Sequence, residues 1–311
     1  MPHERGKIIG TMRNICLVTN YNYEQFLPEC LNSLVSQTQK FDQIIIVDDG
    51  STDDSRQILS RFCQDFDYAI TIEKENGGQL SCFNAALEFI KPDDYVFFMD
   101  SDDIFPQDYL EQVSSVISKA DAEFFFVNPV HFKDGEQTLD SAKIAPEKTF
   151  AFSSTSALTR KIRCFIGAET SCVCMKGSLY ETLLPYPHEK DWITQADDLI
   201  TFGASIIGAH KLYIESLGIC YRIHADNNFV GKQIPPGEWN DWRLRHERVF
   251  RWYSDKALLP LRAPLKSVIL EAVLLPKAIR KRFRIPSPAI LWLVDLNFIP
   301  PLIAFLFKRK P

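Results

Sequence analysis

Short apolar runs alternate with amphipathic helical stretches along the first two thirds of the chain, and two of those runs end in clustered carboxylates. Ile15 to Thr19, Ile44 to Val47, Tyr68 to Glu73, Tyr95 to Met99 and Glu123 to Val127 read as strands. After the first comes a polar aromatic turn, Asn20-Tyr21-Asn22-Tyr23, and a helical face of Phe26, Leu27, Cys30, Leu31, Leu34 and Val35. Further helices are predicted over Asp53 to Phe62, Leu80 to Ile90, Pro106 to Lys119 and Leu199 to Ile207. Strands alternating with helices make an α/β fold with a mainly parallel sheet, whose ligands bind outside the carboxyl ends of the strands. Residues 128 to 165 are less regular and read as a hairpin or a flexible excursion beside the sheet.

The acids stand where such a sheet binds ligands. Tyr95 to Asp103, Tyr-Val-Phe-Phe-Met-Asp-Ser-Asp-Asp, puts Asp100, Asp102 and Asp103 on the loop that ends a strand. Gln43 to Ser51 ends in Asp48-Asp49-Gly50-Ser51. Carboxylates this close repel one another, and a divalent cation with oxygen ligands is the usual remedy. A plain acidic turn capping the helix after Pro106 competes with that reading. Two acid-tipped strands point to one shared crevice. Glu75-Asn76-Gly77-Gly78 is a turn that can approach a ligand closely, because glycine admits backbone geometries closed to other residues.

Several function classes lose their support. The chain has neither G-x-G-x-x-G nor G-x-x-x-x-G-K-[ST], so a dinucleotide fingerprint and a P-loop are both missing. Its eight cysteines show no C-x-x-C spacing, which speaks for reduced thiols and against a zinc ribbon or disulfide framework. Met1 to Asn14 has no apolar core of signal-peptide length, so a cytoplasmic location is expected.

Five blocks, in order over residues 14 to 228, resemble the inverting glycosyltransferases of family 2, which have the GT-A fold and use nucleotide sugars. Cys16 to Asn22 is similar to the family's first strand, which implies nucleotide contacts at Thr19 and Tyr21. Leu31 to Thr38 and Val47 to Ser51 match its most recognisable segments, and the resemblance makes Asp49 the base-binding acid. Phe98 to Asp103 resembles the D-x-D motif, whose later acids hold the metal and the ribose, which implies Asp102 as principal metal ligand with Asp103 and Asp100 beside it. Mn2+ or Mg2+ would suit such oxygen ligands. Gln195-Ala196-Asp197-Asp198-Leu199 occupies the place of the motif whose Asp is the general base, hence Asp198. Here Asp197 replaces the more frequent Glu, and Ala204 stands where many members carry Arg. Without the other blocks, Asp197-Asp198 would read as an N-cap. Tyr221 to Asn228 resembles the Y-R-x-H segment, which implies Arg222 as a phosphate contact and His224 as a metal or phosphate contact.

The resemblance implies a metal-dependent transfer of sugar from a nucleotide-diphosphate donor, a UDP- or dTDP-sugar, to a hydroxyl of a glycan or lipid-linked saccharide in surface polysaccharide synthesis. A catalytically silent membrane scaffold and a nucleotidyltransferase are the rival readings. The latter would carry a basic glycine-rich loop after the first strand, where this chain has Asn20-Tyr21-Asn22-Tyr23. Trp192, Phe165 and Tyr186 precede Asp198 where the family's acceptor surface lies, but core packing explains such aromatic residues equally well.

The division expected is a GT-A domain over residues 1–228 and a helical extension over 229–311. Residues 256 to 311 carry eleven Lys/Arg and two acids, a charge of +9, whereas the preceding residues carry 24 basic and 38 acidic groups, or -14. The extension ends in a 19-residue apolar run, Ala289 to Phe307, close to the length that spans a bilayer. Asp295 would cost about 3 kcal/mol at the centre of a span, and Pro300-Pro301 break the helix. In-plane or shallow attachment to the cytoplasmic face of a membrane is therefore expected, with a helical hairpin packed on the catalytic domain or on a second subunit as the alternative. Nucleic acid is not expected as a partner, since the apolar segment would have no use there. The possibility of a homo-oligomer stays open.

Overall fold

The computed structural model describes residues 12–225 and 239–293. Eight strands form one sheet: β1 Asn14–Asn20, β2 Gln43–Asp48, β3 Ala69–Glu73, β4 Tyr95–Asp100, β5 Phe124–Phe132, β6 Thr149–Phe152, β7 Val173–Lys176 and β8 Lys211–Arg222. Their order across the sheet is β3-β2-β1-β4-β7-β5-β8-β6. The pairs β1/β2, β2/β3, β1/β4 and β5/β8 are parallel, whereas β4/β7, β5/β7 and β6/β8 are antiparallel. Ile15 to Val18, Ile44 to Val47 and Val96 to Met99 are fully buried, as a sheet covered on both faces requires. The architecture is the expected mainly parallel α/β sheet flanked by helices, and the antiparallel pairs of β7 and β6 make it mixed.

The helices among the described residues are α1 Leu27–Val35, α2 Ser55–Asp65, α3 Gln79–Ala85, α4 Tyr109–Ile117, α5 Ser156–Ile162, α6 Gly177–Leu183, α7 Ala196–Ile207, α8 Trp239–Lys256, α9 Leu265–Leu274, α10 Lys277–Arg282 and α11 Pro288–Leu293. On α1, Leu27, Cys30, Leu31 and Leu34 recur at helical spacing and face the core, and Pro28 sits in the first turn, where its missing N–H costs nothing. The segment read from sequence as one helix to Ile90 is α3 followed by a 3-10 turn over Ala86–Phe89.

The chain leaves β1 toward β2 and β3 on one side and returns to β4 on the other. The strand order therefore reverses between β1 and β4, and the register places Asn20 beside Asp48 and Thr19 beside Asp100 at one carboxyl edge. A crevice at such a switch point is where sheets of this kind bind ligands.

Of the two readings of residues 128–165, a hairpin or a flexible excursion beside the sheet, the hairpin does not form. β5 runs on through Phe132 and pairs with β8, β6 also pairs with β8, and the two do not pair with each other. A register shift between Phe126 and Asn128 is held by the Asn128 amide, which donates to the carbonyls of Glu215 and Leu217 at 2.9 Å each.

The described part of the C-terminal extension packs on the sheet domain. Val249, Phe250 and Tyr253 of α8, Val268 and Ala272 of α9, Ile279 of α10 and Leu291 of α11 are buried in the same apolar cluster as β1 and β4. Glu271 of α9 accepts hydrogen bonds from the N–H groups of Ala157 and Leu158, which the first turn of α5 would otherwise leave unpaired. No helix among the described residues is long and apolar enough to cross a membrane. Most of the run Ala289 to Phe307, with Asp295, Pro300, Pro301 and the final basic residues, lies outside the described residues.

Candidate active site

The ends of β1 and β2 are tied together by their polar residues. Asn20 donates to Asp48 Oδ2 at 2.9 Å, and the Ser51 N–H donates to Asp48 Oδ1 at 2.9 Å, so the wholly buried Asp48 is satisfied. Asp49 accepts from Lys74 Nζ at 2.6 Å and from the N–H groups of Gly77 and Gly78 at 2.9 and 2.7 Å. It thereby holds the Glu75 to Gly78 turn against the end of β2. Gly78 has φ +87°, and a Cβ there would lie 2.3 Å from the Cα of Ile193, so the turn and the segment before α7 meet only because this residue is glycine. Tyr21 is 46% exposed beyond the end of β1.

The acid loop follows β4. Asp100 Oδ1 accepts from Thr19 Oγ1 at 3.2 Å and from Gln79 Nε2 at 2.8 Å. Asp103 Oδ2 accepts from Ser171 Oγ at 2.5 Å, and its Oδ1 accepts from the N–H of Arg222 at 2.9 Å. Asp102 Oδ2 lies 2.9 Å from His224 Nε2. Burial first, and then the charge of Asp102, push Asp100 up to about 7 and Asp103 well above the carboxylate range. These acids do not cap the next helix: the N-cap of α4 is Asp108, whose own carboxylate accepts from Ser141 and Ala142.

Arg222 closes the loop from β8. Its Nε donates to the carbonyl of Asp102 at 2.8 Å, and its guanidinium pairs with Glu29 and Asp134 while lying over the rings of Phe26 and Phe132. A phosphate reaching this guanidinium would have to displace one of those two exposed carboxylates. His224 packs against Phe26, with ring centroids 4.5 Å apart. Asp226, Asn227 and Asn228 of the same block lie outside the described residues.

Among the described residues, no three His, Cys, Asp or Glu side chains are grouped to hold a metal ion by themselves. Asp103, expected as a ligand, has both oxygens engaged by Ser171 and Arg222. The set that fits a cation is Asp102 with His224 beside it. Hard divalent cations are commonly held by one or two carboxylates plus substrate phosphates, so this set is sufficient in kind.

Asp198 lies in the first turn of α7, whose N-cap is Gln195 at φ +62° with no side-chain cap bond, so neither Asp197 nor Asp198 serves as the cap. Burial and the charge of Asp198 hold Asp197 well above the carboxylate range. Asp198 Oδ2 lies 3.2 Å from His246 Nε2. Trp192 and Tyr186 are completely buried and pack as core, whereas Phe165 is half-buried against Phe202.

Three residues that the sequence reading passed over complete this side. Gln79 donates to Asp100 and, through Oε1, accepts from the N–H of Ala196 at 2.9 Å, so one amide joins the acid loop to the start of α7. His246 and Arg245 come from α8, and Arg245 reaches the carbonyl of Asp191 and the side chain of Gln195. The one signal for His246 was its place among Trp242, Val249, Phe250 and Tyr253 on the apolar face of a strongly charged helix.

Comparison with known proteins shows the family and the fold. Residues 15–182 match the family model described as Glycosyl transferase family 2. An uncharacterized glycosyltransferase, alr2836 of Nostoc sp., is 30% identical over 225 residues, which cover 70% of this chain and 67% of that protein. The poly(ribitol-phosphate) beta-glucosyltransferase of Bacillus spizizenii is 38% identical over 96 residues, covering 30% of this chain and 15% of that protein. This chain thus corresponds to only a small part of that larger relative. Among solved structures, S. aureus TarS in complex with UDP-GlcNAc superposes with a TM-score of 0.61 at 18% identity, over 92% of this chain and 77% of that one, which shows a shared fold.

Proposed function

Because the chain belongs to glycosyl transferase family 2 and is a glycosyltransferase, we propose that it moves a sugar, with inversion, from a nucleoside-diphosphate donor to a hydroxyl of a glycan or lipid-linked saccharide. The observation that carries this reading is that Gln79 joins the acid loop to the first turn of α7, which carries Asp198. Transfer requires a stabilised leaving group and an activated acceptor hydroxyl at the same moment, and the two sides divide those tasks.

On the donor side, Thr19 and Tyr21 at the end of β1 and Asp49 behind the glycine turn would contact the nucleotide, with Asp100 beside them. Asp102, with His224, would hold Mn2+ or Mg2+, and Arg222 and Asp103 fix the loop that presents it. When bound, such an ion offsets negative charge on the departing diphosphate. The closeness of these acids supports the fit, since burial first and then the charge of Asp102 raise Asp100 and Asp103, and a cation would offset both costs. On the acceptor side, Asp198 would take the hydroxyl proton as that oxygen attacks. Asp198 Oδ1 accepts no hydrogen bond among the described residues.

The name of the Bacillus relative, with the basic extension, supports a surface-polymer acceptor and a place at the cytoplasmic face of a membrane. Residues 1–228 would form the catalytic unit, and 229–311 would attach it to that surface. Calorimetric titration with UDP, dTDP, GDP and CDP, each with and without Mn2+, tests the donor side. Metal-dependent binding of one of them is expected, and no binding of any overturns the reading.

A further inference from the structure

His246 lies on α8, beyond the segment that the family model matches. Its two ring nitrogens face different acceptors. Nδ1 is 2.7 Å from the carbonyl oxygen of Trp242, one turn earlier, and a carbonyl can only accept, so Nδ1 carries a proton. Nε2 is 3.2 Å from Asp198 Oδ2, and an ionised carboxylate also only accepts. The second contact therefore holds only while a further proton lies between the two groups. A histidine that merely fills the core would need nothing beyond the Trp242 carbonyl.

The ring is held from several sides. It is 7% exposed, and its centroid lies 5.2 Å from Trp192, 5.6 Å from Phe202 and 3.9 Å from Trp242. Helix α8 is itself pinned to the segment before α7, with Arg248 bonded to both oxygens of Asp191 at 2.6 and 2.7 Å. The other charged groups around the pair are Asp197 on α7, Arg245 on α8 and Asp191, and Arg245 lies within electrostatic reach of all three acids.

We infer that His246 is a positioning residue for sugar transfer, which holds Asp198 Oδ2 through a shared proton and so directs Oδ1 to the acceptor hydroxyl. The inference rests on Asp198 being the base. In the step itself, the acceptor oxygen bonds to the anomeric carbon as the bond to the diphosphate oxygen breaks and its electron pair stays on the phosphate. The acceptor's proton passes to Asp198 Oδ1, and the shared proton stays with the His246 contact. The C-terminal extension thus contributes to the chemistry as well as to packing.

The test compares wild type with His246→Leu, His246→Gln, Asp198→Asn and the Leu/Asn double variant. The readout is nucleoside diphosphate released from a panel of UDP-, dTDP-, GDP- and CDP-sugars with water as acceptor, using the donor turned over fastest. His246→Leu should lower kcat at least tenfold with the donor KM within twofold. His246→Gln, whose amide N–H donates at any pH, should recover most of kcat and lose the alkaline fall of the wild type. The double variant should be no slower than Asp198→Asn. A Leu variant within twofold of wild-type kcat, or a Gln variant with an unchanged pH profile, overturns the inference. If His246→Leu does not fold, the Gln profile decides alone. An active Asp198→Asn enzyme would remove the base assignment itself, whereas an inactive one beside a fully active His246→Leu removes only the role of His246. Independently of turnover, a downfield proton signal on His246 Nε2 should be present in wild type and lost in Asp198→Ala; its persistence there overturns the shared proton.

Discussion

Gln79 donates to Asp100 at 2.8 Å while the same amide accepts from the N–H of Ala196 at 2.9 Å, so the acid loop and the first turn of α7 are set by one side chain. An amide is suited to this, because it gives a donor to the carboxylate and an acceptor to the backbone. Gln79→Leu should leave a half-buried carboxylate short of a donor and a helix N–H without its partner, each worth about 1–3 kcal/mol. The expected result is a Tm lowered by several degrees and transfer reduced at least tenfold. A variant that loses stability but keeps its kcat would show that the two sides are positioned independently.

The acids raised by burial link stability to pH. Asp100 titrates at about 7 in the folded protein, above its unfolded value, so it favours the fold fully below about pH 4 and loses that contribution as pH rises through 7. Asp103 and Asp197, shifted in the same direction, add to the effect. Without metal, the protein should therefore melt at a lower temperature at pH 8 than at pH 6. Added Mn2+ should raise Tm more at pH 8, because Asp100 and Asp103, once ionised, add negative charge beside an ion held at Asp102. Equal Mn2+ shifts at both values would separate the acid loop from metal binding.

Gly78→Ala tests the contact between the glycine turn and the segment before α7. The backbone there is in the left-handed region, and a methyl group would meet the main chain of Ile193, which cannot swing aside as a side-chain tip would. A loss of about 1–3 kcal/mol is expected, read by urea unfolding. Nucleotide binding should weaken as well, since the Gly78 N–H is one of the three donors to Asp49. Unchanged nucleotide affinity in a destabilised variant would detach the turn from the donor side.

What could be read from the sequence was local. The buried runs of β1, β2 and β4 and the acids at their ends are contiguous, so period and turn chemistry place them without tertiary information. β7 escaped notice because Val173–Lys176 is a four-residue strand, inserted antiparallel between β4 and β5, and its pairing depends on partners far along the chain. The same reason hid the supports of the candidate site. Gln79 meets Ala196 across 117 positions and His246 meets Asp198 across 48, and neither spacing leaves a periodic mark. The hairpin, one of the two readings of residues 128 to 165, does not form because β8, a 12-residue strand, supplies a partner to both β5 and β6.

The surface of α9 and α10 carries the case for membrane attachment within the described residues. Leu270, Val273 and Leu274 are 60%, 55% and 68% exposed, and Lys266, Lys277 and Lys281 of the same two helices are exposed as well. Glu271, the one acid of α9, is turned inward to Ser154 and α5. An apolar strip flanked by cations suits anionic lipid, in which apolar insertion and charge attraction add. Replacing the three apolar residues by Gln should remove about 3 kcal/mol of partial burial, a loss of roughly 100-fold in partitioning to phosphatidylglycerol vesicles. Binding by the wild type should also fall as salt is raised, through screening of the lysines. Co-sedimentation of wild type and triple variant, with neutral vesicles as control, measures both effects. A triple variant that binds within threefold of wild type would place any membrane contact elsewhere in the chain, because these residues are the largest apolar side chains that α9 leaves exposed.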